Sequence, residues 1–284
     1  MEHTTRKKLS ALGSVAAMIL ILAVGCAANP KAIHVISRED GSGTRSAFVS
    51  LFGMEEDGVD RTRTDADITN STAVMLTGIA GDANGIGYLS FSACNDMVKA
   101  VAIDGIAATA DNIKNGTYSV SRPFTIVTGE NCSEAARDFI DFICSAEGQS
   151  IVEAAGYIAA VEHAKPYSGA KPSGRVVAAG SSSVAPVMEA LKEAYLQVNP
   201  NGSIQLQASD STTGIHCVKA GICDIGMASR ALNDEEASAG LNATAIAIDG
   251  IAVIVHRENP VENLTKAQVK AIFTGGITDW SALC

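Results

Sequence analysis

The chain has 284 residues, a length that suits one large or two medium-sized domains. Its formal net charge of −10 argues against a nucleic-acid-binding protein, and means that any bound anion is held by local groups rather than by overall charge. Aromatic residues make up only 5% of the chain, while alanine, isoleucine, valine and glycine are frequent, which favours α/β layers over an all-β sandwich.

The N-terminal residues predict an export signal. A basic segment at residues 6–8 precedes an apolar run over residues 9–24, which leads into Cys26. Such a segment is typical of a secretory signal, and a cysteine directly after small residues resembles the bacterial lipobox. We therefore expect residues 1–25 to be a lipoprotein signal peptide and Cys26 to be lipidated, which would tether the protein to the outer side of the cell membrane. An uncleaved anchor and a plain secretory signal are the alternatives; no later segment is long and apolar enough to span a bilayer.

Three short segments rich in serine, threonine and glycine each follow a predicted strand, at residues 33–37, 176–179 and 204–207. The three loops are Arg38-Glu39-Asp40-Gly41-Ser42-Gly43-Thr44, Gly180-Ser181-Ser182-Ser183 and Ser211-Thr212-Thr213-Gly214. Each lies where a helix should begin, and helix N-termini present unpaired N–H groups and a partial positive charge. If the loops converge, they would form a cage for a small tetrahedral anion, with Arg38 adding a full positive charge.

Helices are predicted elsewhere from apolar spacing and capping residues. The first two loops lead into helices at residues 46–52 and 184–198. Ser133 caps a strongly amphipathic helix, and Thr265 with Gln268 forms a capping box at the start of another.

Two segments are expected to connect elements rather than to build the core. Residues 54–69 are charged and polar and predict an exposed excursion, and residues 164–175 are rich in proline, glycine and serine and predict a linker. A six-residue identity, AIDGIA at residues 102–107 and again at 247–252, is either chance or the mark of two equivalent crossover strands at a hinge.

Cysteine and histidine spacing predicts no metal site. Apart from Cys26, the cysteines are Cys94, Cys132, Cys144, Cys217, Cys223 and Cys284, and none fits a zinc pattern. Cys217 and Cys223 form a disulfide or remain free thiols. We expect neither a metal nor a cofactor.

Five longer segments are specific enough to indicate a family. They are residues 37–45 (SREDGSGTR), 180–186 (GSSSVAP), 223–230 (CDIGMASR), 249–255 (DGIAVIV) and 264–280. Together they resemble the phosphate-binding protein of the bacterial phosphate ABC transporter. The GSSSVAP half comes first in the commonest arrangement of that family and second here, so the chain resembles a circularly permuted member in which residues 164–175 join the old ends.

The resemblance implies a type II periplasmic-binding-protein fold, with two α/β lobes joined by two hinge crossings and phosphate in the cleft between them. Lobe A would comprise residues 33–102 and 253–284, and lobe B residues 103–252. The two AIDGIA segments would then lie at the crossings, where the lobes close.

The resemblance also implies the roles of individual residues. Arg38 should pair with phosphate oxygens, and Asp40 should hold Arg38 in place. The remaining phosphate-binding residues would be Ser42, Gly43, Thr44, Ser182, Ser183, Ser211 or Thr212, and Ser229.

One position departs from the family pattern. Some members have an aspartate where this chain has Ser229, and that carboxylate accepts the phosphate proton that sulfate lacks. Asp210, beside the third loop, is our candidate replacement.

The expected function is therefore that of an extracytoplasmic solute-binding protein, not an enzyme. It would act as a monomer that delivers inorganic phosphate to the permease subunits of an ABC transporter, with no nucleic-acid partner and only a lipid anchor in the membrane. The alternatives are the same fold binding sulfate or molybdate, a phosphate sensor, and a serine-dependent phosphatase. No G-x-S-x-G turn or positioned base supports the phosphatase.

Overall fold

The computed structural model describes residues 31–283. The predicted signal peptide and the lipidation site Cys26 lie outside the described residues, as does Cys284.

The described chain alternates strands and helices. The strands are β1 (His34–Arg38), β2 (Glu55–Glu56), β3 (Val59–Asp60), β4 (Asp67–Thr69), β5 (Gly85–Ser90), β6 (Val98–Ala100), β7 (Ala102–Ile103), β8 (Ser121–Thr128), β9 (Ile158–Ala159), β10 (Gly174–Ser181), β11 (Gly202–Ser209), β12 (Ile225–Ala228), β13 (Asn242–His256) and β14 (Asn263–Leu264). The helices are α1 (Gly43–Leu51), α2 (Thr72–Ala80), α3 (Ala110–Lys114), α4 (Glu134–Ile143), α5 (Ala146–Ala154), α6 (Ala185–Val198), α7 (Ser211–Lys219), α8 (Asp234–Ala237) and α9 (Lys266–Phe273), with 3-10 turns at Phe91–Ala93 and Trp280–Leu283.

Capping side chains confirm two of the predicted helix starts and place a third earlier than predicted. Ser42 caps α1 by accepting a hydrogen bond from the Arg45 N–H, so that helix begins three residues earlier than the apolar spacing predicts. Ser133 caps α4 in the same way, and Thr265 with Gln268 forms the predicted capping box of α9.

One long strand organises the sheet. Eight strands follow the order β11-β10-β12-β8-β13-β5-β1-β4, and β6 and β9 also pair with β13. The first part of β13, residues 242–250, runs antiparallel to β8, and residues 251–255 run antiparallel to β5. A single strand therefore passes from one half of the molecule into the other.

The hydrophobic side chains form two main cores, one on each side of this passage. One core is built by residues up to Val120, including Phe48 and Tyr88, and by residues from Ile251 onwards. The other is built by residues between Phe124 and Ala247. Lobe A thus comprises residues 31–120 and 251–283, and lobe B residues 124–247. The chain crosses between the lobes at 121–123 and at 248–250.

These crossings correct the predicted lobe boundaries at 102/103 and 252/253. Residues 103–120 belong to lobe A because Ile103, Ile113 and Tyr118 pack in its core. The second AIDGIA segment lies in β13, where that strand passes from one core to the other, whereas the first lies within lobe A. There Ile103 and Ile106 bridge a tight turn in which Asp104 and Gly105 have φ of 51° and 80°, a conformation that suits an Asp-Gly hairpin.

The two predicted connecting segments are better anchored than expected. Residues 54–69 are mostly exposed and form the β2–β3 hairpin, but Met54 and Thr69 at their ends are buried. The segment 164–175 is held by Asp138, whose Oδ2 accepts a hydrogen bond from Tyr167 of that segment over 2.6 Å and another from Tyr195 of α6 over 2.7 Å.

Candidate functional site between the lobes

Four strand-to-helix turns meet in the cleft between the lobes. Lobe A contributes the starts of α1 and α2, and lobe B contributes the turn before α6 and the start of α7. Their hydroxyls lie within hydrogen-bond distance of one another across the cleft: Thr44 Oγ1 is 3.0 Å and Thr72 Oγ1 is 3.3 Å from Ser183 Oγ. The predicted convergence of small polar loops is therefore present in the structure.

Ser229 lies at the centre of these hydroxyls and is fully buried. Its Oγ is 3.0 Å from Ser181 Oγ, 3.3 Å from Thr44 Oγ1 and 3.4 Å from Ser211 Oγ, and its N–H donates to Ser211 Oγ over 3.0 Å. We call the six hydroxyls of Thr44, Thr72, Ser181, Ser183, Ser211 and Ser229 the hydroxyl cage. Because each hydroxyl both donates and accepts, the cage can rearrange its hydrogens around an oxyanion.

Gly43 is required by the close approach of the loops. A Cβ atom at this position would overlap the hydroxyl of Ser211 and come within 2.8 Å of Ser229 Oγ. Ser42, the residue before it, is buried but turns its hydroxyl to the Arg45 N–H as the cap of α1. The start of α1 thus brings backbone N–H groups and the positive end of a helix dipole against the cage.

Arg38 supplies a buried positive charge beside the cage. Its Nη2 donates to Ser182 Oγ over 3.2 Å, which joins lobe A to the second loop in lobe B. Its Nε and Nη2 also donate to the two carboxylate oxygens of Glu39 over 2.8 and 2.9 Å. The bidentate pair fixes the plane of the guanidinium.

The expected partnership of Asp40 with Arg38 is wrong. Asp40 pairs with Arg45 over 2.8 Å, and its carboxylate is 96% exposed. Adjacent residues of the loop point in different directions, and Glu39 is the one that turns back to the guanidinium.

The strand end that carries Arg38 is held by Tyr88. Its hydroxyl lies 2.8 Å from Ser37 Oγ and accepts a hydrogen bond from the Arg38 N–H over 3.2 Å. Burial raises the pKa of Tyr88 to about 12, although these hydrogen bonds lower it, so the phenol stays neutral. Tyr88 therefore positions Arg38 without adding charge.

The residues at the third loop, Asp210 to Thr212, take three different roles. Ser211 is fully buried in the cage. Thr212 instead donates its N–H and its hydroxyl to the Gly41 carbonyl, over 3.2 and 3.1 Å. Asp210 caps α7, with its two carboxylate oxygens accepting hydrogen bonds from the N–H and the hydroxyl of Thr213 over 2.8 and 2.6 Å. Both carboxylate oxygens of Asp210 are thus engaged in capping α7.

A cavity of about 590 Å³ opens beside the cage and is lined by both lobes, including Ser42, Thr212 and Arg230. Arg122 also lines it, from the first crossing. Its side chain is 2% exposed and donates from Nη2 to the fully buried Asp249 of the second crossing over 3.2 Å.

Sequence reasoning missed four of these residues. Ser181 belongs to the second loop, of which the resemblance implies only Ser182 and Ser183 as ligand residues. Glu39 stands next to Asp40, the residue that the resemblance implies as the partner of Arg38. Thr72 follows strand β4 through Asn70 and Ser71, so it shows the same pattern of strand, small polar turn and helix as the other loops. Arg122 carries no local signal, because only the pairing of β8 with β13 brings it to Asp249.

Within residues 31–283, no group of histidine, cysteine and acidic side chains could hold a metal ion. The cysteines described in that range are free thiols, including Cys217 and Cys223. None of the helices in the described range is long and apolar enough to cross a membrane.

Comparison with known proteins identifies the family. The model of the PBP superfamily domain matches residues 14–147 and 165–283. Phosphate-binding protein PstS 2 of Streptococcus agalactiae is 49% identical over 288 residues, which cover 98% of this chain and 98% of that protein. The chain belongs to this family of phosphate-binding proteins.

Other relatives agree with this assignment. Phosphate-binding protein PstS 2 of Streptococcus pneumoniae is 41% identical over 255 residues, which cover 88% of this chain and 87% of that protein. The crystal structure of a phosphate ABC transporter phosphate-binding protein from Streptococcus pneumoniae superposes with a TM-score of 0.72 at 41% identity, covering 89% of this chain and 100% of that one. The predicted α/β periplasmic-binding-protein fold is confirmed.

Family membership also decides between two of the expected classes. The family consists of transporter binding proteins, so this chain is a binding protein and not a phosphatase. The two streptococcal phosphate-binding proteins align with this chain along most of their length. Circular permutation relative to other members stays a prediction.

Proposed function

We propose that this phosphate-binding protein captures inorganic phosphate between its two lobes and delivers it to the permease of an ABC transporter. The observation that carries the proposal is the meeting of hydroxyls from both lobes beside the buried guanidinium of Arg38. The names of the streptococcal relatives support phosphate as the ligand.

The ligand contacts that we propose follow from this geometry. Arg38 donates to phosphate oxygens while Glu39 keeps its guanidinium in plane. The other proposed ligand groups are Ser42 and Gly43 through their backbone at the start of α1, Ser182, and the cage residues Thr44, Thr72, Ser181, Ser183, Ser211 and Ser229. Thr212 and Asp210 act on the loops rather than on the ligand.

Closure follows from ligand groups on both lobes. An anion held by Thr44 of lobe A and Ser183 of lobe B binds the closed arrangement better than an open one, and so shifts the population towards closure. The crossings at 121–123 and 248–250 are the places where the chain would bend. The closed form would then dock on the permease.

Selectivity would rest on hydroxyls. Among the residues that the structure describes, the hydroxyls of Thr44, Ser183 and Ser229 bond to other hydroxyls and not to a carboxylate. A hydroxyl at Ser229 accepts the proton of hydrogen phosphate, but it does not repel sulfate as a carboxylate would. We therefore expect a preference for phosphate that is weaker than a site with a facing carboxylate would give.

The cellular setting is also a proposal. Cleavage after residue 25 and lipidation of Cys26 would leave a monomeric binding protein tethered to the outer side of the membrane, close to its permease. Mass spectrometry of the membrane fraction tests this directly, since a diacylated Cys26 peptide is expected and an unmodified one would contradict the anchor.

Calorimetric titration tests the binding proposal. The chain without residues 1–25, freed of bound ligand by partial unfolding and dialysis, should bind phosphate with one site. Arg38→Met should weaken binding on the order of 100-fold, because it removes charge-assisted hydrogen bonds in a buried site. Arg175→Met, at the far end of β10 from Ser181, is the matched control and should bind as the parent does. Equal binding of sulfate, or none of either anion, would overturn the assignment of phosphate.

A further inference from the structure

A backbone carbonyl also takes part in a contact across the cleft that lies outside the hydroxyl cage. The carbonyl of Gly41 in lobe A accepts two hydrogen bonds from Thr212 in lobe B, from its N–H over 3.2 Å and from its hydroxyl over 3.1 Å. Thr212 is the second residue of α7, and the N–H groups of a first helical turn have no partner within their own helix. A carbonyl of the opposite lobe therefore serves as a cap for α7.

The backbone of Gly41 is shaped for this contact. Its φ of 86° lies in the left-handed region, which glycine adopts without strain. A Cβ atom there would come within 2.6 Å of Asp210 Oδ1, the cap of the same helix. Glycine thus lets the loop of lobe A approach the start of α7 closely enough for its carbonyl to bond.

Arg230 and Glu236 orient the hydroxyl of Thr212. Arg230 Nη2 donates to Thr212 Oγ1 over 3.2 Å, and Glu236 accepts from both terminal nitrogens of Arg230 over 2.6 and 2.8 Å. Since the guanidinium occupies a lone pair of the hydroxyl, the single hydrogen of that hydroxyl is directed to the Gly41 carbonyl. The direction of the bond across the cleft is therefore fixed from within lobe B.

The pair that holds this hydroxyl is itself fixed. The side chains of Arg230 and Glu236 are 13% and 11% exposed. Burial alone would raise the pKa of Glu236, but hydrogen bonds from Arg230 and from the Asn233 N–H lower it overall, so the carboxylate stays charged at neutral pH. Glu236 also completes the capping box of α8 with Asn233.

We propose that Thr212 and Gly41 form a latch between the lobes, that Arg230 and Glu236 position it, and that the latch sets the affinity for the captured anion. The latch favours the closed arrangement whether or not an anion is present. The inference rests on the proposed function in one respect, namely that the bound anion requires closure. The apparent dissociation constant then equals the intrinsic one divided by the closed fraction, so a weaker latch lowers affinity although no ligand contact is lost.

The test compares two substitutions at Thr212, one that removes the side-chain hydroxyl and one that keeps it. Thr212→Val keeps the shape of the side chain and should weaken phosphate binding about 2- to 10-fold, the effect of one neutral hydrogen bond. The loss should appear as faster dissociation in stopped-flow measurements. Thr212→Ser restores the hydroxyl and should recover the parental affinity.

A neighbouring residue provides the matched control. Thr213→Val removes a hydroxyl from the same turn of α7, but that hydroxyl bonds to Asp210 within lobe B. It should leave the dissociation rate unchanged. Arg230→Gln should resemble Thr212→Val, and the double variant should be no weaker than the single ones if Arg230 acts through Thr212.

Small-angle scattering separates the latch from the binding proposal. Without ligand, Thr212→Val should have a larger radius of gyration than the parent and than Thr213→Val. If Thr212→Val changed neither the radius of gyration nor the rate of phosphate dissociation, the latch would be refuted, even if the variant had lost unfolding free energy. A parent protein that binds no phosphate would refute the proposed function, while the scattering comparison would still decide whether the latch exists.

Discussion

The ion pair between Arg122 and Asp249 should make stability depend on pH in a direction opposite to that of most ion pairs. The two side chains face each other where both crossings join the lobes, and they are 2% and 0% exposed. Burial raises the pKa of Asp249 to about 6, although Arg122 and nearby serines lower it. Burial also lowers the pKa of Arg122 to about 10. The loss of hydration therefore outweighs the attraction between the two charges.

The sign and size of the effect follow from the shift. A carboxyl whose pKa is higher in the folded than in the unfolded chain favours folding while it is protonated, and this contribution is lost as the pH rises through the folded value. The rise from 3.8 to about 6 corresponds to about 3 kcal/mol of unfolding free energy. This contribution to stability is complete below about pH 3 and absent above about pH 7.

Urea unfolding of Asp249→Asn at a series of pH values between 4 and 7.5 tests this reasoning. Asparagine has the shape of the protonated acid and does not ionise. Relative to the parent, the variant should therefore gain about 2 kcal/mol of unfolding free energy as the pH rises from 4 to 7, most of the full effect. Asp96→Asn, at an exposed position, should show no such trend. A variant that instead loses relative stability towards neutral pH would refute the reasoning, because the ion pair would then be net stabilising.

Substitutions at three further positions, each with a control variant, test the site. Glu39→Gln should weaken phosphate binding about 10-fold in calorimetric titrations, because it releases the guanidinium of Arg38, whereas Asp40→Asn should change binding by no more than about 2-fold. A larger effect of Asp40→Asn than of Glu39→Gln would contradict the observed pairing. Gly43→Ala should weaken binding at least about 10-fold, because its Cβ would overlap cage hydroxyls, and Gly81→Ala, where a Cβ meets ordinary contacts, should not. Asp210→Ala should lower the unfolding free energy by about 1 kcal/mol through loss of the α7 cap, while Asp210→Asn should keep both the cap and the preference for phosphate over sulfate. A changed preference in the asparagine variant would show that Asp210 does accept the ligand proton.

Much of the site could be predicted because its signals are local. A small polar residue after a strand satisfies the first N–H groups of the helix that follows, and the same residue leaves room for an anion. Ser183 and Ser211 could be assigned because each lies in a loop of small residues between a strand and a helix, although α6 has no side-chain cap and α7 is capped by Asp210. The capping box of Thr265 and Gln268 is another such signal, since both halves lie within four residues.

Directions of side chains could not be predicted from the sequence. Glu39 and Asp40 carry the same charge one residue apart, and only the geometry of the loop decides which of them reaches Arg38. Thr72 could not be assigned to the site either, because the charged segment at residues 54–69 before it predicts an exposed connection. Its α2 start enters the cage because β4 pairs in parallel with β1, a contact between separate segments.

The repeated AIDGIA segment shows how far tertiary context overrides local sequence. Residues 247–252 lie in a buried strand that joins the lobes, whereas 102–107 form a tight turn in lobe A. In the turn, Asp104 and Gly105 adopt positive φ; in the strand, Asp249 pairs with Arg122 and Gly250 lies in the ladder opposite Ser121. Because strand formation depends on neighbours across the sheet, six identical residues did not suffice to place both crossings.

The most direct test of the central claim is a crystal structure of the chain with bound phosphate. We predict one tetrahedral anion between the lobes, within hydrogen-bond distance of Arg38, of Thr44 from lobe A and of Ser183 from lobe B. An anion that contacts only one lobe, or that lies away from Arg38, would contradict capture by the hydroxyl cage.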